Sequence, residues 1–215
     1  MNKLFIEAKY SGPITLTPEV SNRLEGIIGL VSSIQFLDSL SLIKISLTKK
    51  ENKKIKKIIV GGQILGCNAE NAAKIKDKVD SFLYIGDGSF HPLAVALKTK
   101  KPVFTFNPFS NSFNGIKKED IENYEKRKKA ALLKFLNADI VGIMISAKSG
   151  QYYDIKKLGQ LEKKYPNKRF YTFISDTLDY SQMENFKFIQ AWVNTACPRI
   201  EEDIKIINMS EIKDF

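Results

Sequence analysis

Ser81-Phe82-Leu83-Tyr84-Ile85 runs without interruption into Gly86-Asp87-Gly88-Ser89-Phe90-His91-Pro92. A short apolar run closed by glycine and proline reads as a buried strand that stops at a polar turn. The same pattern recurs outward in both directions. Strands are expected at Gly26 to Ser32, Lys57 to Val60, Pro102 to Phe106, Ile140 to Ser146, Arg169 to Ile174 and Gln190 to Val193. Amphipathic or charged segments between them predict helices at Ser33 to Lys44, Asn68 to Lys76, Lys117 to Leu136, Ile155 to Tyr165 and Tyr180 to Phe186. Strands alternating with helices predict an α/β fold with two similar lobes, each a mostly parallel sheet flanked by helices. The polar stretch Asn107 to Asn114 is the expected boundary between them. Lys117 to Leu136 is charged in its first half and apolar at Ala130, Leu132, Leu133, Phe135 and Leu136, as in a surface helix that docks by one end.

With 215 residues and 43% hydrophobic content, the chain has enough apolar material for one large or two small cores. The net charge of +10 comes almost wholly from lysine, since arginine occurs only at Arg23, Arg127, Arg169 and Arg199. A reader of nucleic acid would use more of arginine's planar fork. The lysine excess therefore reads as a solvated surface, with docking onto an acidic partner as the alternative. No stretch approaches the roughly 18 to 20 apolar residues of a membrane span, and Met1 to Lys9 lacks the regions of a signal peptide. A cytoplasmic protein with no membrane association is expected.

Two cysteines cannot make a disulfide-dense scaffold, nor by themselves complete a four-ligand zinc or iron-sulfur site. Their placement is informative all the same. Cys67 follows Ile58-Ile59-Val60 and the expected loop Gly61 to Gly66, and Cys197 follows Ala191-Trp192-Val193 and the turn Asn194-Thr195-Ala196. Both stand at strand ends, one per lobe, where ligands of α/β sheets gather. The polar loops Gly86 to Pro92 and Ser146 to Gln151 also follow strands, which gives a weak internal duplication with two sulfurs and two loops on comparable edges. A lone cysteine is ordinarily a small packed hydrophobe. Here Gly61, Gly62 and Gly66 permit close backbone approach, and Pro198 fixes the chain behind Cys197; a packed thiol needs neither. His91, the only histidine, sits in a loop costly for an ordinary turn. There Asp87 can accept from an ammonium or a ribose hydroxyl, and amides near Gly88 can contact a carboxylate. Ser149, Gly150 and Gln151 offer similar polar groups, although Lys-Ser-Gly is also common turn chemistry. P-loop, GxGxxG, CxxC, HExxH and nucleophile-elbow patterns are absent.

Three motifs in register resemble the diphthamide synthase family: Gly62-Gln63-Ile64-Leu65-Gly66-Cys67, Phe82 to Pro92, and Asn194-Thr195-Ala196-Cys197-Pro198-Arg199. Ile28-Gly29-Leu30-Val31 with Gln35-Phe36, and the Ser149-Gly150-Gln151 loop, extend the resemblance over nearly the whole chain. It implies 2-(3-amino-3-carboxypropyl)histidine synthase chemistry of the archaeal type. The 3-amino-3-carboxypropyl group of S-adenosylmethionine is transferred to a histidine of translation elongation factor 2, the first step of diphthamide biosynthesis. It further implies a 4Fe-4S cluster held by three cysteines from three similar domains, reductive cleavage to an aminocarboxypropyl radical, and an electron donor.

On this resemblance Cys67 and Cys197 are the second and third cluster ligands. Asp87, Gly88, His91, Ser149, Gly150 and Gln151 line the cofactor and substrate crevice, and Arg199 either balances cluster charge or forms a structural ion pair. No catalytic residue is assigned. Residues 1–114 correspond to a second-domain-like lobe carrying Cys67, and residues 115–215 to a third-domain-like lobe carrying Cys197. The first domain, with the third cysteine, is expected on a separate partner chain, in a homo- or hetero-oligomer. A fragment, an inactive paralogue, or a non-enzymatic scaffold or basic RNA-associated protein are the alternatives.

Overall fold

The strand β1 (Gly26–Ser32), rich in β-branched and aliphatic residues and buried from Ile28 onward, is an inner strand of a five-stranded sheet. The computed structural model describes residues 6, 8–49, 54–66, 68–148, 158–176, 180–198 and 206–213. β1 pairs in parallel with β2 (Ile55–Gln63) on one side and β3 (Ser81–Ile85) on the other. β4 (Val103–Asn107) adds a parallel strand beyond β3, and β5 (Ser112–Gly115) closes that edge antiparallel. One face packs Leu16, Val20, Leu24, Phe36, Ile43 and Leu47, carried by α1 (Pro18–Arg23), the 3-10 turn Ile34–Ser39, α2 (Leu40–Lys49) and their flanks, against Ile28, Leu30 and Leu83. The other face packs Phe82 and Tyr84 against Ala72 of α3 (Glu70–Ala73) and Val95 and Ala96 of α4 (Phe90–Thr99).

A second sheet has the order β7-β6-β8-β9, with every pairing parallel. It comprises β6 (Ile140–Ser146), β7 (Arg169–Ser175), β8 (Ala191–Asn194) and β9 (Ile207–Asn208). α5 (Lys118–Asn137), α6 (Leu158–Lys164) and α7 (Met209–Lys213) accompany it. The chain divides into two compact units, the first ending at Ile121 and the second beginning at Glu122.

The two sheets repeat one plan: a central strand comes first, its neighbour on one side second, and its neighbour on the other side third. Details repeat as well. The Ile27 amide donates to Asp80 Oδ2 at 2.7 Å while the Asp80 amide donates to the Ile27 carbonyl at 2.7 Å. The Ile140 amide donates to Gln190 Oε1 at 3.1 Å while the Gln190 amide donates to the Ile140 carbonyl at 3.0 Å. Two positions further along each central strand stands a glycine with an aromatic ring over it. A Cβ there would lie 2.6 Å from the Phe82 ring at Gly29 and 2.5 Å from the Trp192 ring at Gly142.

Several expectations need correction. The Gly61-Gly62 run continues β2, and a register shift pairs Val31 with Gly62, so the glycines form a bulge in a strand. Phe90, His91 and Pro92, expected in a turn, open α4; proline is tolerated in a first helical turn because its missing amide has no partner there. Residues 107–114 turn β4 back into β5 inside the first sheet. In α5, Ala131, Leu132 and Phe135 are buried, whereas Ala130, Leu133 and Leu136 are exposed, because Phe135 follows Ala131 by four positions and Leu132 by three, which puts them on one helical stripe. Tyr180 to Phe186 forms a 3-10 turn, Tyr180–Asn185, and residues 155–157 of the helix expected at Ile155 to Tyr165 lie outside the described residues.

Candidate functional site

In the first sheet, the connection from β1 leads to one side and that from β3 to the other, so their carboxyl ends part and leave a crevice at the β1/β3 switch point. The residues Ser33 and Gly86 to Ser89 emerge there. Tyr84, on β3, is fully buried, and its hydroxyl and that of Ser33 have no hydrogen-bond partner among the described residues. Burial drives the phenol's pKa up to about 12; the nearby Ser33 hydroxyl opposes that shift, and the Asp87 charge adds to it. His91 lies flat against Tyr84, with centroids 5.9 Å apart and planes inclined by 10°.

Asp87 is exposed, and its Oδ1 accepts from the Gly88 amide at 2.8 Å and from Asn107 Nδ2 at 2.7 Å. Gly88 has a φ of +73°, a conformation open chiefly to glycine. The loop therefore holds an acid and a turned backbone in fixed relation to a histidine and two orphaned hydroxyls. Tyr84, Ser33 and Asn107 were not singled out by sequence. Tyr84 looked like one more strand aromatic, and only the register of β3 beside β1 brings its tip to Ser33.

Cys67 lies outside the described residues, as do Ser149, Gly150, Gln151 and Arg199. The neighbours of Cys67 are well tied. Leu65 and Asn68 exchange two backbone hydrogen bonds, Asn71 Nδ2 donates to the Gln63 carbonyl at 2.9 Å, and Glu70 pairs with Lys98 at 2.8 Å. That ion pair, foremost through its hydrogen bond, holds the Glu70 carboxyl below its usual range.

Cys197 follows β8 and is a half-buried free thiol. Its loop is braced from both sides. The Thr195 amide and hydroxyl both donate to the Met144 carbonyl, at 3.1 and 2.8 Å, and the buried Asn194 amide group holds Ala196 and Cys197. Counted from the paired strands, Cys197 occupies in the second sheet the place that Asp87 occupies in the first. Cys67 instead follows β2, whose counterpart is the edge strand β7. The strands that precede the two cysteines, β2 and β8, are thus not counterparts, so the duplication expected from sequence does not extend to them.

A thiolate on a braced, half-buried loop suits one ligand position of an iron-sulfur cluster. Among the described residues, no group of three or more His, Cys, Asp or Glu could hold a metal. No helix among them is long and apolar enough to cross a membrane.

The family described as "Putative diphthamide synthesis protein" matches residues 4–206. The 2-(3-amino-3-carboxypropyl)histidine synthase of Pyrococcus horikoshii is 34% identical over 144 residues, covering 66% of this chain and 40% of that protein. The 2-(3-amino-3-carboxypropyl)histidine synthase subunit 1 of Nematostella vectensis is 30% identical over 183 residues, covering 82% of this chain and 38% of that protein. The crystal structure of Dph2 from Pyrococcus horikoshii with a 4Fe-4S cluster matches with a TM-score of 0.71 at 25% identity, over 91% of this chain and 58% of that one. The chain spans less than half the length of these two curated relatives.

Proposed function

Because the chain belongs to the diphthamide synthesis protein family, we propose that it forms part of a 2-(3-amino-3-carboxypropyl)histidine synthase acting on translation elongation factor 2. The observation that carries this reading is the pairing of relatives bearing that name with a braced, half-buried thiol at Cys197. Cys67 and Cys197 each give one thiolate to a 4Fe-4S cluster, and the third comes from outside these 215 residues. A partner chain bearing that cysteine is consistent with eukaryotic relatives named subunit 1. When bound, the cluster supplies the electron for cleaving a carbon-sulfur bond of S-adenosylmethionine.

The chain's own residues bind and orient. Asp87 accepts from the ammonium or a ribose hydroxyl of S-adenosylmethionine, backbone amides near Gly88 donate to its carboxylate, and His91 forms a wall of the crevice. Ser149, Gly150 and Gln151 contribute polar groups to cofactor and substrate binding in this reading. The unit ending at Ile121 and the unit beginning at Glu122 act as the second and third domains of a three-domain enzyme.

The test is anaerobic reconstitution with iron and sulfide, in the presence of a polypeptide carrying the part of a family member that this chain does not cover. Dithionite and S-adenosylmethionine should then release methylthioadenosine and modify elongation factor 2. Release of deoxyadenosine, or no cleavage by a fully loaded complex, contradicts the proposal.

A further inference from the structure

Asn194, the last residue of β8, is 1% exposed, and its amide closes the turn that carries Cys197. Its Oδ1 accepts from the Ala196 amide at 2.9 Å. Its Nδ2 donates to the Cys197 carbonyl at 3.1 Å and to Asn208 Oδ1 at 2.9 Å. Both donor hydrogens and the acceptor are engaged, so the side chain has one orientation and the turn has one shape. The brace continues outward: the Asn208 amide donates to Glu211 Oε2 at 3.2 Å, and Glu211, 6% exposed, pairs with Lys128 of α5 at 3.1 Å.

The fold alone does not call for this arrangement. At the corresponding place in the first sheet stands Tyr84, whose hydroxyl makes no hydrogen bond among the described residues. The same strand order is thus built there without a clasp. Burying an amide is unfavourable unless every polar atom is satisfied, and here that requirement is met in the sheet whose loop ends in a cysteine.

From this we infer that Asn194 is a positioning residue that fixes the direction of the Cys197 thiolate toward the iron it ligates. The inference rests on the reading of Cys197 as a cluster ligand. By holding the carbonyl of Cys197 itself, Asn194 limits the rotation of that residue's backbone, and the path of the Cα–Cβ bond is set before metal arrives. Preorganised ligands and their outer hydrogen bonds tune both retention and electronic properties of a metal centre.

Asn194→Asp keeps the shape and the acceptor for Ala196 but loses the donors to the Cys197 carbonyl and to Asn208 Oδ1, and Asn194→Ser keeps a smaller acceptor. In the full chain without metal, the rate of iodoacetamide alkylation at Cys197, divided by that at Cys67, should rise several-fold. After anaerobic reconstitution with ferrous iron and sulfide, in the presence of the polypeptide that supplies the third cysteine, iron retention should fall several-fold and the electron paramagnetic resonance signal of the reduced cluster should shift, while the thermal melt of the chain stays cooperative. An unchanged alkylation ratio and an unchanged signal in a folded variant overturn the inference. Cys197→Ala run in parallel separates the two levels: full iron retention there overturns the ligand reading itself, whereas loss there with no effect of Asn194→Asp overturns only the role of Asn194. If Asn194→Asp does not fold, Asn208→Ser removes the acceptor that orients the amide, and the same changes are expected at smaller size. Their absence overturns the inference equally.

Discussion

Tyr84 is held neutral by its surroundings, and that has a consequence for stability. Its pKa is about 12 in the folded chain against an ordinary value of 10.0, with burial as the main cause. Below pH 10 the phenol is neutral in both states; as pH rises toward 12 the unfolded chain ionises first. Stability from this residue is therefore lost in that window, by about 3 kcal/mol in all. Urea unfolding of the parent and Tyr84→Phe, compared at pH about 9 and about 11.5, should show a steeper loss in the parent. At neutral pH the phenylalanine variant should be as stable or more so, because the hydroxyl it removes has no partner among the described residues. At the exposed end of the same loop, Asp87→Ala should weaken S-adenosylmethionine binding by about tenfold in calorimetry, as removal of one charged hydrogen-bond acceptor does. Cys67, Asp87, His91 and Cys197 stand out in the sequence as candidates because unusual residue types follow apolar runs there. Asn194 and Tyr84 do not, because their roles depend on which strands are neighbours.

The central strands make a sharper statement at the level of elements. Gly29 and Gly142 each sit under an aromatic ring, so an added methyl meets Phe82 or Trp192 at well under contact distance. Gly29→Ala and Gly142→Ala should each destabilise by about 1 to 3 kcal/mol in denaturant unfolding, with little change in the slope. The end of α5 is held by Lys168, whose Nζ donates to the carbonyls of Leu136, at 2.7 Å, and Ala138, and lies 5.4 Å from the Phe135 centroid. Lys168→Met keeps the apolar stem and loses the donor, and a loss of about 1 kcal/mol in the same assay is expected. Most strands were legible from β-branched and aromatic runs, which suit a pleated, buried surface. β5 was not, because Ser112-Phe113-Asn114-Gly115 is an edge strand with little apolar content. α4 was hidden by His91-Pro92 in its first turn, where proline's local signal and its helical role are indistinguishable.

For the molecule as a whole, two compact units repeat one strand order, and each opens a switch point at the carboxyl edge of its sheet. The two-lobe α/β plan was legible because alternating strand and helix signals recur along the entire chain. The non-equivalence of the two cysteine strands was not, since sequence order alone does not say on which side of a central strand its successor pairs. The central claim is that Cys67 and Cys197 are ligands of one cluster type. It is tested most directly by the iron and acid-labile sulfide retained after anaerobic reconstitution and desalting of the full chain together with a polypeptide carrying the part of a family member that this chain does not cover. The parent should be compared with Cys67→Ala, Cys197→Ala and the Asp87→Ala control. Both cysteine variants should lose most of the bound iron and sulfide while the control keeps it; retention equal to the parent in either cysteine variant would contradict the account.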